Sequence, residues 1–262
     1  YHLDAPLTFD GSLGASEVLL LAATGADVVL RPSSRRRLQG GVVTPTAELL
    51  NVSAGVLTLE RLQLRAASAA PAVLVTGGRL VMRNCMLADH AASALHVSGG
   101  EVTVEDGVLA GNSAQRGGAV SVSGGSFTAT RTRFESNTAT DEGGALHVSA
   151  GHAVLSNGTL LLGNSALGGG DSVRLTGGSL QYELPAPLGR WLLASDGVAE
   201  LANEHYDDDL PFACAPGVYG ASLAPEAQSG PGCSAACPEG SFCPSLDRKS
   251  TRLNSSHANI SY

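Results

Sequence analysis

Four cysteines crowd the C-terminal part of the chain. Cys214 opens the run Cys214-Ala215-Pro216-Gly217-Val218-Tyr219-Gly220, and Cys233, Cys237 and Cys243 follow with three and then five residues between them. Thiols placed in this way serve two chemistries, zinc ligation by thiolates or oxidation to disulfides. The spacings fit ordinary zinc knuckles poorly, and Pro-Gly turns suit loops stapled by disulfides, with zinc as the rival reading. Two disulfides are therefore expected among Cys214, Cys233, Cys237 and Cys243, in one of three connectivities. Disulfides imply the secretory route or an extracellular face. The glycosylation triplets Asn51-Val52-Ser53 and Asn157-Gly158-Thr159 agree with that compartment. Cys85 stands alone in the sequence pattern and reads as a buried free thiol.

Carboxylates and histidines are the other groups able to do chemistry. Cleavage of a polysaccharide by hydrolysis needs two carboxyl groups about 5 to 9.5 Å apart on one face. Candidates in regular segments are Glu60, Glu101, Glu105 and Asp106, and in turns Glu135, Asp141, Glu142 and Asp171. Asp207 to Asp209 lacks the glycine and spaced acceptors of a dedicated calcium loop, so a solvated linker is expected there. His96 and His147 read as two exposed histidines, with metal ligation possible only through a bridging group. No Ser-His-Asp order, phosphate loop or Cys-His pair is present, and no catalytic residue, metal ligand or cofactor is assigned.

Composition narrows the partners. The 262 residues carry 16 Lys plus Arg against 24 Asp plus Glu, a net charge of −8. The one basic cluster, Arg35 to Arg37, reads as a solvated loop rather than a processing site, and nucleic acid is excluded as the main partner because phosphate binding needs a concentrated positive face. The longest unbroken apolar run, Val18 to Ala23, is far short of the roughly 20 residues that span a bilayer. The chain opens on Tyr1, so it is expected to be a fragment of a larger secreted or membrane-anchored protein.

The elements that would position these groups are repeats. Small pairs recur at Ala54-Gly55, Gly77-Gly78, Gly99-Gly100, Gly124-Gly125, Ala150-Gly151 and Gly177-Gly178, spaced by 23, 22, 25, 26 and 27 residues. An alternating segment precedes each pair and another follows it, and period two means strands with one face buried. Strands this short, repeated without a helical period between them, predict an all-β fold, a right-handed parallel β-helix of pectin-lyase-like type. Its predicted inward columns are Leu57, Leu80, Val102, Phe127, Ala153, Leu180 and Leu59, Met82, Val104, Ala129, Leu155, Tyr182. Two more run Leu50, Val73, Leu95, Val120, Leu146, Val173 and Val52, Val75, Val97, Val122, Val148, Leu175.

The same register sets the outward columns. One reads Val56, Arg79, Glu101, Ser126, His152, another Glu60, Arg83, Glu105, Thr130, Ser156, and a third Arg61, Asn84, Asp106, Arg131, Asn157. Each acid in them has an arginine one coil away, which predicts cross-strand pairing rather than a pair of catalytic carboxyls.

Phe134-Glu135-Ser136-Asn137 followed by Gly143-Gly144-Ala145-Leu146 resembles the paired FxxN and GGA[ILV] motifs of the polymorphic outer membrane protein repeat. Leu109 to Asn112 with Gly117-Gly118-Ala119-Val120 is a near copy, and Leu161 to Asn164 with Gly168 to Gly170 a weaker one. The resemblance covers about 54 to 181 and implies a surface-exposed protein implicated in adhesion. Asn112, Asn137 and Asn164 are expected to form a structural amide ladder in one turn. The cysteine segment, about 214 to 244, resembles the start of an ephrin-receptor-like cysteine-rich module.

A break in composition sets off the C-terminus. The sole Lys, Lys249, and the sole Ile, Ile260, lie beyond Leu246, and Asp247 to His257 resembles translated sequencing-library adapter. Without 247–262 the charge is 13 − 23 = −10, and the triplets at Asn254 and Asn259 drop out. The expected division is then 1–48, irregular N-terminal coils or cap; 49–182, β-helix repeats; 183–213, C-terminal cap and linker; 214–246, truncated cysteine-rich module; and 247–262, an adapter-derived, disordered tail. The expected function is a noncatalytic extracellular or cell-surface module, structural or adhesive. Alternatives are a glycan-binding module and a β-helix polysaccharide lyase or hydrolase. Glycans or cell-surface proteins are the expected partners.

Overall fold

In the computed structural model the described residues are 8–9, 27–32, 50–61, 63–65, 71–219, 222–224, 228–233 and 235–236. Arg35 to Arg37, Leu62, Cys237, Cys243 and the 247–262 tail lie outside them. Over the described residues the fold is a parallel β-solenoid of about 5 turns with almost no helix. Its longest stack joins Val56–Glu60, Arg79–Arg83, Glu101–Glu105, Val120–Thr130, Leu146–Ser156 and Ser179–Glu183. A second stack runs Gln63–Arg65, Met86–Ala88, Val108–Ala110, Arg133–Glu135 and Leu160–Leu162, and a third Ser113–Arg116, Thr138–Glu142 and Ser165–Ala166.

Registers follow the sequence columns. Leu57 lies against Leu80, Leu80 against Val102, Val102 against Phe127, Phe127 against Ala153 and Ala153 against Leu180. All six are buried, and Leu59, Met82, Val104, Ala129, Leu155 and Tyr182 are at most 1% exposed; the other two predicted columns are buried as well except at Leu175, which is partly exposed beside the cap. A further inward column, Leu87, Leu109, Phe134 and Leu161, comes from the second stack. Phe134 there meets Phe127 edge to face at 6.4 Å. Two coils differ from the expected pattern of strand, bend, strand. Val120–Thr130 and Leu146–Ser156 run through their small pairs as single long strands, with the register slipping at Ser123.

A coil can stack only if its corners repeat. The second member of each small pair is left-handed, as in Gly100 (φ 74°) and Gly125 (φ 71°), and a Cβ at Gly125 would sit 2.5 Å from the Gly100 carbonyl oxygen. The next corner is also left-handed but is made by Arg61, Asn84, Asp106, Arg131 and Asn157, with φ between 48° and 55°. These residues carry the backbone cost of that conformation without glycine, and two of them, Asp106 and Arg131, pair from coil to coil.

Two side-chain ladders fix the other corners. The Asn137 Oδ1 accepts from the backbone N–H and the Nδ2 of Asn112, at 3.1 and 2.9 Å, and Asn164 Oδ1 takes the same two bonds from Asn137 at 3.0 and 2.9 Å. Each amide nitrogen also donates to the coil before it, at Leu87, Leu109 and Phe134. His90 occupies the preceding rung and donates its backbone N–H to Asn112 Oδ1. In the second ladder the Thr132 hydroxyl donates to the Val104 and Thr130 carbonyls, and Thr159 to those of Ala129 and Ser156. Cys85 holds the equivalent rung, its thiol 3.4 Å from the carbonyls of Leu59 and Arg83. The buried thiol therefore stands in for a hydroxyl.

The C-terminal end is closed by chain running the other way. Val198–Glu200 pairs antiparallel with Ser179–Glu183, and His205–Tyr206 with Val173–Leu175. Leu210 bridges Leu161, closing the second stack. Asp207 Oδ1 accepts from Gly170 and Asp171, and Asp209 Oδ1 from Gly163, all backbone N–H. The acidic run is thus not a mere solvated linker: two of its carboxylates cap amides that a further coil would otherwise have paired.

Asn137→Ala should destabilise the fold by about 3 kcal/mol or more, because it strands the buried Asn112 donors and the Leu109 carbonyl, and by more than Asn164→Ala; urea denaturation measures both. Cys85→Thr should hold or raise the melting temperature, whereas Cys85→Leu should cost about 1–3 kcal/mol by overpacking the corner.

Candidate functional site

The regular outward acids are neutralised by the stacking itself. Arg79 reaches Glu101 at 3.5 Å, Arg83 reaches Glu105 at 3.0 Å and Glu60 at 3.8 Å, and Arg131 forms a two-bond pair with Asp106 at 2.6 and 2.9 Å. The Arg131 guanidinium holds the Asp106 carboxyl below its ordinary value. These pairs are exposed and screened by solvent, so each contributes little stability. Glu135 pairs with Arg133 on its own strand, and the Asp171 carboxylate accepts the Ala166 N–H at 2.7 Å.

Asp141 and Glu142 enter a different arrangement. The third-stack strand Thr138–Glu142 ends at Glu142, and Gly143 (φ 68°) turns the chain so tightly that a Cβ there would lie 3.1 Å from the Cβ of His147. This folds the Glu142 side chain over the strand that follows. Its Oε1 lies 3.4 Å from Arg174 Nε, and its Oε2 lies 3.8 Å from His147 Nε2 and 3.9 Å from Arg116 Nε. Arg116 also holds Asp141 at 3.0 Å, and Arg174 reaches Glu204 in the cap at 3.8 Å. The result is a chain of alternating charge across three coils and the cap.

His147 corrects the expectation of an exposed histidine. It shares a row with His96 and Ser121, but it is only 4% exposed, because Glu142 from its own coil and Arg174 from the next close over it. Burial first, then the Arg116 and Arg174 charges, lower its pKa, against a smaller upward pull from Glu142 and Asp141. His96 is half-buried, with its Nε2 3.3 Å from the Ser123 hydroxyl, and burial lowers its pKa as well. The sequence register located both side chains, but it carries no signal that a turn folds over one of them.

Glu142, His147 and Thr176 form a carboxylate, imidazole and hydroxyl set. Thr176 Oγ1 lies 3.3 Å from His147 Nε2, the same nitrogen that faces Glu142. A relay that activates a nucleophile needs the acid on one ring nitrogen and the hydroxyl on the other. This geometry holds the ring in place and does not pass a proton along a line.

A groove of about 530 Å³ continues from this cluster, between the strand pair 173–183 and the cap. Arg174, Thr176, Ser179, Glu200 and Glu204 supply its polar groups, with Leu175, Leu180 and Leu201 beneath. Such a lining offers hydroxyls, two carboxylates and one guanidinium to a small polar ligand. Among the described residues no group of three or more His, Cys, Asp or Glu is placed to hold a metal ion.

Of the remaining sequence-derived sites, Asn51 is exposed at the centre of Leu50–Val52, and Asn157 is exposed at its left-handed corner. Cys214 and Cys233 form a disulfide, one of the pairings open to the four thiols. Arg116 and Arg174, which bracket Glu142, were not singled out by the sequence, since nothing in their spacing shows that the coils before and after Glu142 converge on its carboxylate.

The architecture defines a class, the parallel β-solenoid built from short coils with amide-laddered turns. Residues 131–149 match the Chlamydia polymorphic membrane protein (Chlamydia_PMP) repeat, and the parallel β-solenoid fits β-helix repeats of that type. That match contains the Phe134-to-Asn137 turn, the Gly143-Gly144-Ala145-Leu146 motif and His147. No curated protein and no solved structure matches the chain.

Stability should depend on pH through His147. A histidine whose folded pKa lies below its unfolded value binds fewer protons when folded, so stability falls as pH drops through and below the ordinary histidine range. The melting temperature should decrease from about pH 7.5 to about pH 5, and less steeply in His147→Gln. A wild-type slope retained in full by the variant would assign the effect to other groups.

Proposed function

We propose that the chain is a noncatalytic extracellular or cell-surface module, structural or adhesive, in which the solenoid is a rigid spacer. The observation that supports this best is the coil-to-coil pairing of the outward carboxylates: Glu60, Glu101, Glu105 and Asp106 each face an arginine of a neighbouring coil. A glycosidase needs a carboxyl held protonated to donate to the leaving group, and an adjacent guanidinium favours the ionised form instead. The match to a surface-protein repeat and the Cys214–Cys233 disulfide support an oxidising, exterior location. The cysteine segment, with its one disulfide, is then a piece of an ephrin-receptor-like cysteine-rich module.

The second reading, a glycan-binding module, is favoured by the groove beside Arg174 and Glu204. Hydroxyls and carboxylates at its rim suit sugar hydroxyls, and no aromatic ring lines it for stacking.

Incubating the purified chain with pectate, alginate and sulfated algal glycans, with and without calcium, should give no turnover. Turnover abolished by Glu142→Ala or Asp171→Ala would overturn the noncatalytic reading. On a glycan array, binding lost in Arg174→Ala or Glu200→Ala would select the second reading, and cell adhesion without glycan binding would select the first.

A further inference from the structure

We propose that the loop closed by Cys214 and Cys233 is a reduction-sensitive latch on the solenoid's end cap, with Gln228 as the group that fastens it. In the cap, Pro185-Ala186-Pro187 crosses the end of the core, with Ala186 1% exposed. The flanking prolines have no N–H, so this segment cannot form an ordinary strand ladder, and Ala186 carries its sole amide donor. Gln228, also 1% exposed, supplies the missing partner with its side chain. Its Oε1 accepts the Ala186 N–H at 2.8 Å, and its Nε2 donates to the Ala186 carbonyl at 2.7 Å and to that of Pro187 at 3.4 Å. The Gln228 carbonyl also accepts the Leu192 N–H at 2.9 Å. One residue of the cysteine loop therefore bonds both the Ala186 and the Leu192 backbone.

Cys214 is fixed to the cap, its N–H donating to Gly189, and Phe212–Ala213 before it pairs with Arg190–Trp191. Beyond it, Ala215 donates to Pro231, and Val218–Tyr219 pairs with the two residues Ala235–Ala236. The disulfide is what ties this arm back to the anchored Cys214. Cys214 is buried and Cys233 partly exposed, so a reductant reaches the Cys233 sulfur first.

The reductant is a dithiol. Its thiolate attacks the Cys233 sulfur, forming a mixed disulfide while Cys214 leaves as a thiolate and takes up a proton. The second thiol of the reductant closes on the first, releasing Cys233 as a thiol; the two electrons and two protons come from the dithiol, which is oxidised to its cyclic disulfide. With the loop no longer closed, holding Gln228 in place costs the entropy that the crosslink had already removed. Gln228 then leaves its seat, and water takes over the Ala186 amide.

Residue-resolved hydrogen exchange of the full chain, before and after treatment with dithiothreitol, tests this. On reduction, exchange at Ala186 and Leu192 should accelerate about tenfold or more, while the amides of Asn112 and Asn137 in the ladder keep their rates. Gln228→Ala with the disulfide intact should expose Ala186 but leave the Cys214 amide protected. Unchanged protection at Ala186 and Leu192 after reduction would overturn the latch. Faster exchange throughout the solenoid would also overturn it, by making the crosslink a support of the whole fold.

Discussion

Everything in this molecule depends on one constraint: the backbone of each coil finds its hydrogen-bond partners in the coils on either side of it, so every coil must follow the same path. A strand within the stack can pair at one interstrand spacing and in one register, and the same must hold at the corners, where regular pairing ends. The molecule meets that demand with left-handed residues at equivalent places and with side chains that bond like backbone. Asn112, Asn137 and Asn164 carry the pairing through one turn, and Thr132, Thr159 and the Cys85 thiol through another. Removing an asparagine from the first ladder leaves its neighbours' buried donors unmatched.

The constraint also shapes the surface. Because registers are fixed, a charge on one coil faces the equivalent position on the next, and unlike charges fill those positions from Glu60 to Arg131. The faces that result are flat and locally neutral, which suits a spacer or an adhesive surface more than a catalytic cleft. The exception arises where the third stack turns at Gly143 and lays Glu142 across His147, with arginines from the coils before and after it closing the cluster.

A stack with repeating edges must also be stopped. Antiparallel strands from the cap cover the last coil, and Asp207 and Asp209 occupy the amides of its turns. Gln228 repeats the same solution within the cap, a buried side-chain amide standing in for a strand where proline forbids one. Capping and turn laddering thus rely on one device, a polar side chain that completes a backbone ladder.

The sequence by itself determined the coil. Period-two alternation around small pairs placed Leu57 through Leu180 in one column and paired Arg79 with Glu101 and Arg131 with Asp106, because in a parallel in-register stack the neighbour of each residue follows from the repeat alone. The motif Phe134 to Asn137 marked the turn that carries the amide ladder for the same reason. What breaks the repeat was decided only in three dimensions. His147 reads as exposed from its column and is buried because the Gly143 turn folds a carboxylate over it. Asp207 to Asp209 reads as a linker and is held to Gly163 and Gly170 by contacts 46 and 37 residues apart in sequence. Gln228 carried no signal at all, since its role depends on two prolines 41 and 43 residues before it that happen to cross the end of the core. Periodic contacts are encoded locally and copied from coil to coil; contacts that end the period join segments whose separation no pattern fixes, and only the folded chain brings them together.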